Sequence, residues 1–399
     1  MNDTHLYLIR LGEISLKGQN RSFFEKRLRA NIKAKLRGYQ NTIRITKGRV
    51  FLEIEKRCPA ERVETALSTT FGLVGFSKCI RAAKDEKAIR KAATLLMDQP
   101  PFSAGSGTYK VESRRSDKSF PLTSYELNVA LAEEVHRAHP NLQVDVQKPE
   151  MILYCEVRDH AYLYTTPQVG LGGLPVNTAG KGMLLLSGGI DSPVAGFKMA
   201  QRGLRMECIY FHAYPYTSQE ALDKVLKLAA KISPFLQGTR VHVVPFTEAQ
   251  LHIKANAPSD ETTLMFRAAM MELSNILAEQ EQALCVVTGE ALSQVASQTV
   301  EGLAFSDSYS ELLVLRPLVG LDKQEIINIA RDIDTYETSI LPYEDCCTIF
   351  SPKHPLTRPD KARTRSHYQA LEMKPFIEAA IAAIETYDFN ALGEIIRQE

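Results

Sequence analysis

Residues 184–203 read LLLSGGIDSPVAGFKMAQRG. The unbroken apolar residues up to Leu186 suit a strand buried on both faces. Gly188 and Gly189 supply a tight turn, and Pro193 falls where the first turn of a helix accepts it. The glycines let backbone N–H groups approach an oxyanion closely, and a helix N-terminus adds free donors and partial positive charge. Ser187 and Ser192 contribute hydroxyls. Asp191 conflicts with this cradle, because a carboxylate repels phosphate unless a cation lies between them. A magnesium ion between Asp191 and a pyrophosphate group resolves the conflict. The pattern is not a Walker A loop. The nearest candidate, Gly173 to Gly180-Lys181-Gly182, has six residues between its glycines and no Ser or Thr after the lysine.

Downstream, short apolar strands alternate with helices: MLLLS, a helix over 192–202, MECIYFHA, a helix over 219–232, RVHVVPF, then LCVVTGE (284–290) and LLVLRPL (312–318). This alternation predicts a parallel sheet covered on both faces, with the active site at the carboxyl ends of its strands. Beyond Cys347, Lys361, Arg363 and Arg365 read as an extended basic stretch, followed by a helix over 368–386.

Upstream, TPQVGLGGLPVNTAGKG (166–182) is rich in glycine and carries two prolines, the composition of a linker or functional loop. Before it lie two α+β units. In the first, LYLIRLG (6–12) is a strand. Phe24, Leu28, Ile32 and Leu36 form a helical stripe, and TIRITKGRVFLEIE (42–55) is a hairpin turning at Lys47-Gly48. In the second, helices are expected over 61–69 and 85–98, with a strand at 107–115. A helix capped by Thr123 or Ser124 with Glu126 follows, then strands at 142–146, 151–157 and 162–166. The expected organisation is thus 1–58, 59–166, a linker at 167–182, and a catalytic domain at 183–399.

The chain has 399 residues, with 48 Lys+Arg against 47 Asp+Glu, 44% apolar and 24% charged residues, a globular composition. No run approaches the ~20 apolar residues that span a bilayer. The first residues, MNDTHLYLIRLGE, have no signal-peptide core, so a cytoplasmic chain without membrane contact is expected. The charge is unevenly spread: residues 1–60 hold 14 Lys+Arg against 5 Asp+Glu, whereas residues 181–399 hold 20 against 28. A basic front suggests a polyanionic partner, although many such charges simply form a solvated face. Seven cysteines without a C-x-x-C pair point neither to a disulfide scaffold nor to structural zinc. Five of them read as small core residues. Cys346 and Cys347 instead sit in the polar loop Pro342-Tyr343-Glu344-Asp345-Cys346-Cys347-Thr348.

Ser187-Gly188-Gly189-Ile190-Asp191-Ser192 resembles the PP-loop of ATP pyrophosphatases, which cleave ATP between its α and β phosphates and transfer AMP to a carbonyl oxygen. RLGEISLKGQNR (10–21), YKVESRRSDKSFPLTSYELN (109–128), residues 172–203, VTGEALSQVASQT (287–299), LRPLVGLDKQEI (315–326) and ETSILPYEDCCTIFSPKHP (337–355) together resemble the tRNA 4-thiouridine synthase (ThiI) family. The resemblance implies an N-terminal ferredoxin-like domain, a THUMP RNA-binding domain and a PP-loop catalytic domain. The implied activity is conversion of uridine 8 of tRNA to 4-thiouridine, with a further role in thiamine thiazole synthesis. Some members append a rhodanese domain, but only 52 residues follow Cys347, too few for one. Sulfur is then expected from a cysteine desulfurase, another persulfide donor or free sulfide.

The resemblance also implies site residues. ATP contacts fall on the PP-loop (Ser187, Gly188, Gly189, Ser192), on Leu185 and Leu186 through their backbone, and on Tyr210, Phe211, Arg267, Gly289 and Gln298. Phe266 stands before Arg267 where the family commonly has a second arginine. Asp191, directly and through magnesium, and Lys323 are implied in catalysis, and Cys346 as the persulfide carrier. Glu344 and Asp345 raise a neighbouring thiol pKa by repulsion, with Lys353 and His354 as counterweights. Cys347 or an external thiol would resolve the persulfide. The alternatives are a PP-loop ligase using an amine nucleophile and a non-catalytic tRNA-binding protein. A homodimer and a metal held by the Cys346-Cys347 loop stay open.

Overall fold

The computed structural model describes residues 4–46, 48–99, 106–343, 350, 352 and 354–399. The chain divides into two compact units: residues 1–21 with 36–172, and residues 22–35 with 173–399.

The first unit is built on nine strands: β1 (Thr4–Leu11), β2 (Asn41–Thr46), β3 (Arg49–Glu55), β4 (Leu73–Ala82), β5 (Gly107–Arg115), β6 (Leu142–Val144), β7 (Met151–Val157), β8 (Ala161–Tyr164) and β9 (Gln168–Val169). Their order is β2-β3-β1-β4-β8-β7-β5-β6, with β9 beside β4. The expected hairpin is present, Thr46 pairing with Arg49 across the turn. The helix Ser124–Ala138 carries a complete capping box between Thr123 and Glu126. Part of the basic front is internally paired. The buried Glu156 carboxylate takes Arg49 at 2.7 Å, Arg158 at 2.9 Å and the Tyr164 hydroxyl at 2.7 Å. Cys58, Cys79, Cys155, Cys208 and Cys285 are all buried, as core cysteines should be.

The second unit holds a seven-stranded sheet: β10 (Lys181–Leu185), β11 (Arg205–His212), β12 (Thr239–Pro245), β13 (Cys285–Val287), β14 (Leu313–Leu315), β15 (Glu385–Phe389) and β16 (Ile395–Gln398), in the order β14-β13-β10-β11-β12-β15-β16. The first five are parallel, as the alternation of strands with helices predicts, and β15 and β16 extend the sheet in antiparallel fashion. This corrects the sequence reading at the C-terminus. Residues Lys361–Ala370 and Lys374–Ala382 are two helices, and the chain then turns into the edge strands instead of continuing one helix to 386. Among the described residues no helix is long and apolar enough to cross a membrane.

The helix Arg21–Lys35 lies between β1 and β2 in sequence, yet all but its first residue belongs to the second unit. The Asn31 side chain donates to the Val176 carbonyl at 3.2 Å. Gln237, left-handed at φ 64°, turns its side-chain amide to the Asn31 carbonyl at 3.2 Å and to Lys35 Nζ at 3.3 Å. Lys35 is only 1% exposed.

Burial holds the Lys35 ammonium well below its ordinary pKa. Between that depressed value and the ~10.4 of an unfolded lysine, the unfolded chain binds the extra proton, so stability rises with pH. Lys35→Met is expected to remove up to about 1.4 kcal/mol per pH unit of that rise. Denaturant midpoints measured from pH 7 to 10 check this, and parallel curves for the two proteins contradict it.

Candidate nucleotide site

The turn after β10 closes on itself through its hydroxyls. The Ser187 N–H donates to Ser192 Oγ at 2.8 Å, the two serine oxygens lie 3.1 Å apart, and the Gly189 N–H reaches Ser187 Oγ at 3.3 Å. The helix Asp191–Gln201 starts immediately afterwards. Gly289, in the loop after β13, packs onto that start: a Cβ there would lie 2.7 Å from Ser192 N and 2.8 Å from Ser192 Cα, both backbone atoms. Only glycine permits this approach.

A cavity of about 270 Å³ opens at these strand ends, a modest volume for a ligand pocket. Leu185, Leu186, Tyr210, Phe211, Met270 and Met271 are its apolar lining. Ser187, Gly189, Asp191, Ser192, Arg267, Thr288, Gly289, Glu290 and Gln298 line the remainder. Arg267, Met270 and Met271 come from one face of the helix Thr262–Gln280, as their i, i+3, i+4 spacing dictates. The cavity thus brings together eleven of the residues the family resemblance implies. Gly188 lies inside the same turn, and Cys346 and Cys347 fall outside the described residues.

Lys323 does not line the cavity but reaches Asp191. Its Nζ donates to Asp191 Oδ1 at 2.6 Å, while Gln294 Nε2 donates to Oδ2 at 2.8 Å. A side-chain ammonium and an amide thus stand against the Asp191 carboxylate. Asp322 and Glu325 form a capping box that fixes Lys323 as the first residue of the helix Lys323–Asp332. A cation at a helix N-terminus opposes the helix dipole, and the Asp191 charge offsets that cost.

Sequence reasoning missed Met270, Met271, Thr288, Glu290 and Gln294. The last three stand within or beside the VTGEALSQVASQT stretch, but only the fold brings them to Asp191 and Arg267. Glu290 is buried and joins two arginines: Arg316 Nε donates to its Oε2 at 2.7 Å, and Arg267 pairs with its Oε1. A groove of about 1420 Å³ elsewhere in this unit, beside Glu272, Tyr309, Arg365 and Tyr368, has no Gly-rich turn in its wall.

A parallel sheet with a Ser-Gly-Gly-x-Asp-Ser turn, a helix N-terminus and a cavity of mixed polar and apolar lining at its strand ends defines a PP-loop nucleotide-dependent protein. The sequence matches the families described as "Thiamine biosynthesis protein (ThiI)" over 177–373, "ThiI ferredoxin-like domain" over 6–77 and "THUMP domain" over 83–166. A probable tRNA sulfurtransferase of Caldanaerobacter subterraneus subsp. tengcongensis is 44% identical over 372 residues, covering 93% of this chain and 96% of the relative. One from Acetivibrio thermocellus is 42% identical over 381 residues, covering 95% and 97%. A 4-thiouridine synthetase solved as an RNA complex with bound ATP superposes with TM-score 0.89 at 34% identity, over 96% of this chain and 99% of that one. PH1313 from Pyrococcus horikoshii Ot3, at 21% identity and TM-score 0.63 over 83% of this chain and 99% of that one, shares the fold. The chain belongs to the ThiI family.

Gly289→Ala forces the two loops apart at an overpacking cost of about 1–3 kcal/mol. The expected result is ATP-analogue binding weakened ~10-fold or more with a retained melting transition. Unchanged affinity by calorimetry contradicts the close approach.

Proposed function

We propose that this chain is an ATP-dependent tRNA sulfurtransferase that makes 4-thiouridine at position 8 of tRNA in the cytoplasm. The carrying observation is the cavity at the β10 turn, whose lining joins apolar side chains suited to adenine with the glycine turn, the serine hydroxyls and Arg267. The 34%-identical structure solved with RNA and ATP supports the same ligands here.

In the first step uridine O4 attacks the α-phosphorus of ATP and pyrophosphate leaves. The amide-like oxygen, a poor leaving group, becomes a good one. Ser187, Gly189 and Ser192 orient the phosphates through N–H and hydroxyl donors. Arg267 and Lys323 offset charge as pyrophosphate departs. Asp191, the cavity carboxylate that the arginines do not occupy, would hold a magnesium ion together with phosphate oxygens, an all-oxygen donor set that this metal prefers. When bound, the metal neutralises phosphate charge. Asp191 also holds Lys323 against the turn, which keeps the ammonium in place when the anion arrives.

In the second step the outer sulfur of a persulfide on Cys346 attacks C4 and AMP leaves. The resulting disulfide between Cys346 and the base is opened by a second thiol, Cys347 or an external one. That thiol ends in a disulfide with Cys346, and 4-thiouridine is released. An external dithiol reductant then reduces that disulfide to two thiols, itself becoming a disulfide, and a cysteine desulfurase or another persulfide donor transfers its outer sulfur to the freed Cys346 thiolate. The description of the matching family favours a second outlet for this sulfur, in thiamine thiazole synthesis.

Purified protein, unmodified tRNA, magnesium-ATP and a cysteine desulfurase with cysteine are expected to yield 4-thiouridine by nucleoside mass spectrometry. Cys346→Ala should abolish it and leave tRNA-stimulated ATP–pyrophosphate exchange intact. Exchange without thiolation in the wild type overturns the sulfur route alone. Absence of exchange favours the non-catalytic tRNA-binding reading, and incorporation of an amine favours the ligase.

A further inference from the structure

Glu290 is 5% exposed and lies at the wall of a cavity built for anions, where an isolated carboxylate is unfavourable twice over, by desolvation and by repulsion. Its surroundings remove both objections. Thr288 Oγ1 donates to Oε2 at 2.9 Å, Arg316 Nε donates to the same oxygen at 2.7 Å, and Arg267 pairs with Oε1. Arg316 is anchored in turn. Its two terminal nitrogens fork onto Asp307, Nη1 to Oδ2 at 3.0 Å and Nη2 to Oδ1. The row Asp307–Arg316–Glu290–Arg267 alternates in sign and ends with a guanidinium at the cavity.

An arginine side chain is long and rotamer-rich, and it binds phosphate well only when its planar fork is pre-oriented. Arg267 projects from a helix whose adjacent residues Phe266 and Ala268 are fully buried, so the helix fixes only its Cα. We infer that Glu290 is a positioning residue for Arg267: the buried carboxylate sets the guanidinium at the cavity, and Arg316 with Asp307 sets the carboxylate. The inference rests on the reading above, in which Arg267 meets the ATP phosphates. Arg316 accordingly supplies a second guanidinium on the same carboxylate, although Phe266 occupies the neighbouring position in sequence. Gly289 sits against the PP-loop backbone and the next residue sets Arg267, so one short loop registers both.

The test uses the full-length protein and a non-hydrolysable ATP analogue with magnesium, titrated calorimetrically, beside steady-state pyrophosphate release with tRNA. Glu290→Gln should weaken the analogue ~10-fold and raise KM for ATP, with KM for tRNA unchanged. Arg267→Gln should weaken it at least as much. The double variant should stay within ~2-fold of Arg267→Gln, since the carboxylate acts through the guanidinium. Asp307→Asn, at the solvent end of the row, should give a smaller loss of ~3-fold in the same direction. Wild-type affinity in Glu290→Gln with a weakened Arg267→Gln overturns the inference and leaves the ATP reading standing. Fully additive losses overturn it as well, because Glu290 then acts independently. Wild-type affinity in Arg267→Gln removes the assignment of Arg267 itself, and the inference falls with it. Should Glu290→Gln not fold, Asp307→Asn decides: a loss confined to the analogue upholds the inference, and wild-type affinity overturns it.

Discussion

A carboxylate set into an anion cradle has to be neutralised, and at Asp191 the neutralising charge is Lys323. The pair joins the first residues of two helices, Asp191–Gln201 and Lys323–Asp332. Asp191 suits the positive end of its own helix, whereas Lys323 is at the wrong end of its dipole. The capping box at Asp322 and Glu325 stabilises that helix start independently, so the lysine need not contribute to it. One helix N-terminus and Arg267 thus line one small cavity, and a second helix sends its first ammonium to the Asp191 that lines it. Without Asp191 this concentration of positive character would be self-repelling; with it the Lys323 charge is balanced.

The same principle operates at Glu290. Arg267 is not left to repel its surroundings but is paired with a buried acid, itself paired with Arg316. Removing one member of such an arrangement leaves an uncompensated charge in a poorly solvated place, which costs far more than the pair contributes in net stability. Charge at this end of the sheet is therefore kept as interlocking pairs, and the apolar lining of leucines, aromatics and methionines is free to be selected for shape.

Local patterns carried the features that sequence made legible. The β10 strand, its glycine turn and the following helix are contiguous, and the regular alternation of strand with helix marks the parallel sheet. Pairings between distant residues were not legible: Asp191 with Lys323 is separated by 132 positions and Asp191 with Gln294 by 103. No periodicity encodes such contacts; the sheet order creates them. The helix Lys361–Ala370 was misread as extended because its sequence, KARTRSHYQA, has almost no apolar stripe to signal a turn of 3.6 residues. The strand β15 was absorbed into a helix because the apolar spacing of Phe376, Ile377, Ile381 and Ile384 leads directly into it. The membership of Arg21–Lys35 was hidden for another reason: an amphipathic stripe states that a helix has a buried face, not which unit buries it.

That helix carries a consequence for the order in which the protein is made. Asn31 and its partner Val176 are 145 positions apart, and Lys35 meets a residue still further along. At the ~5–20 residues per second of translation, the helix emerges on the order of ten seconds before the chain that covers it exists. Throughout that interval the first unit can complete its own sheet around an excluded segment.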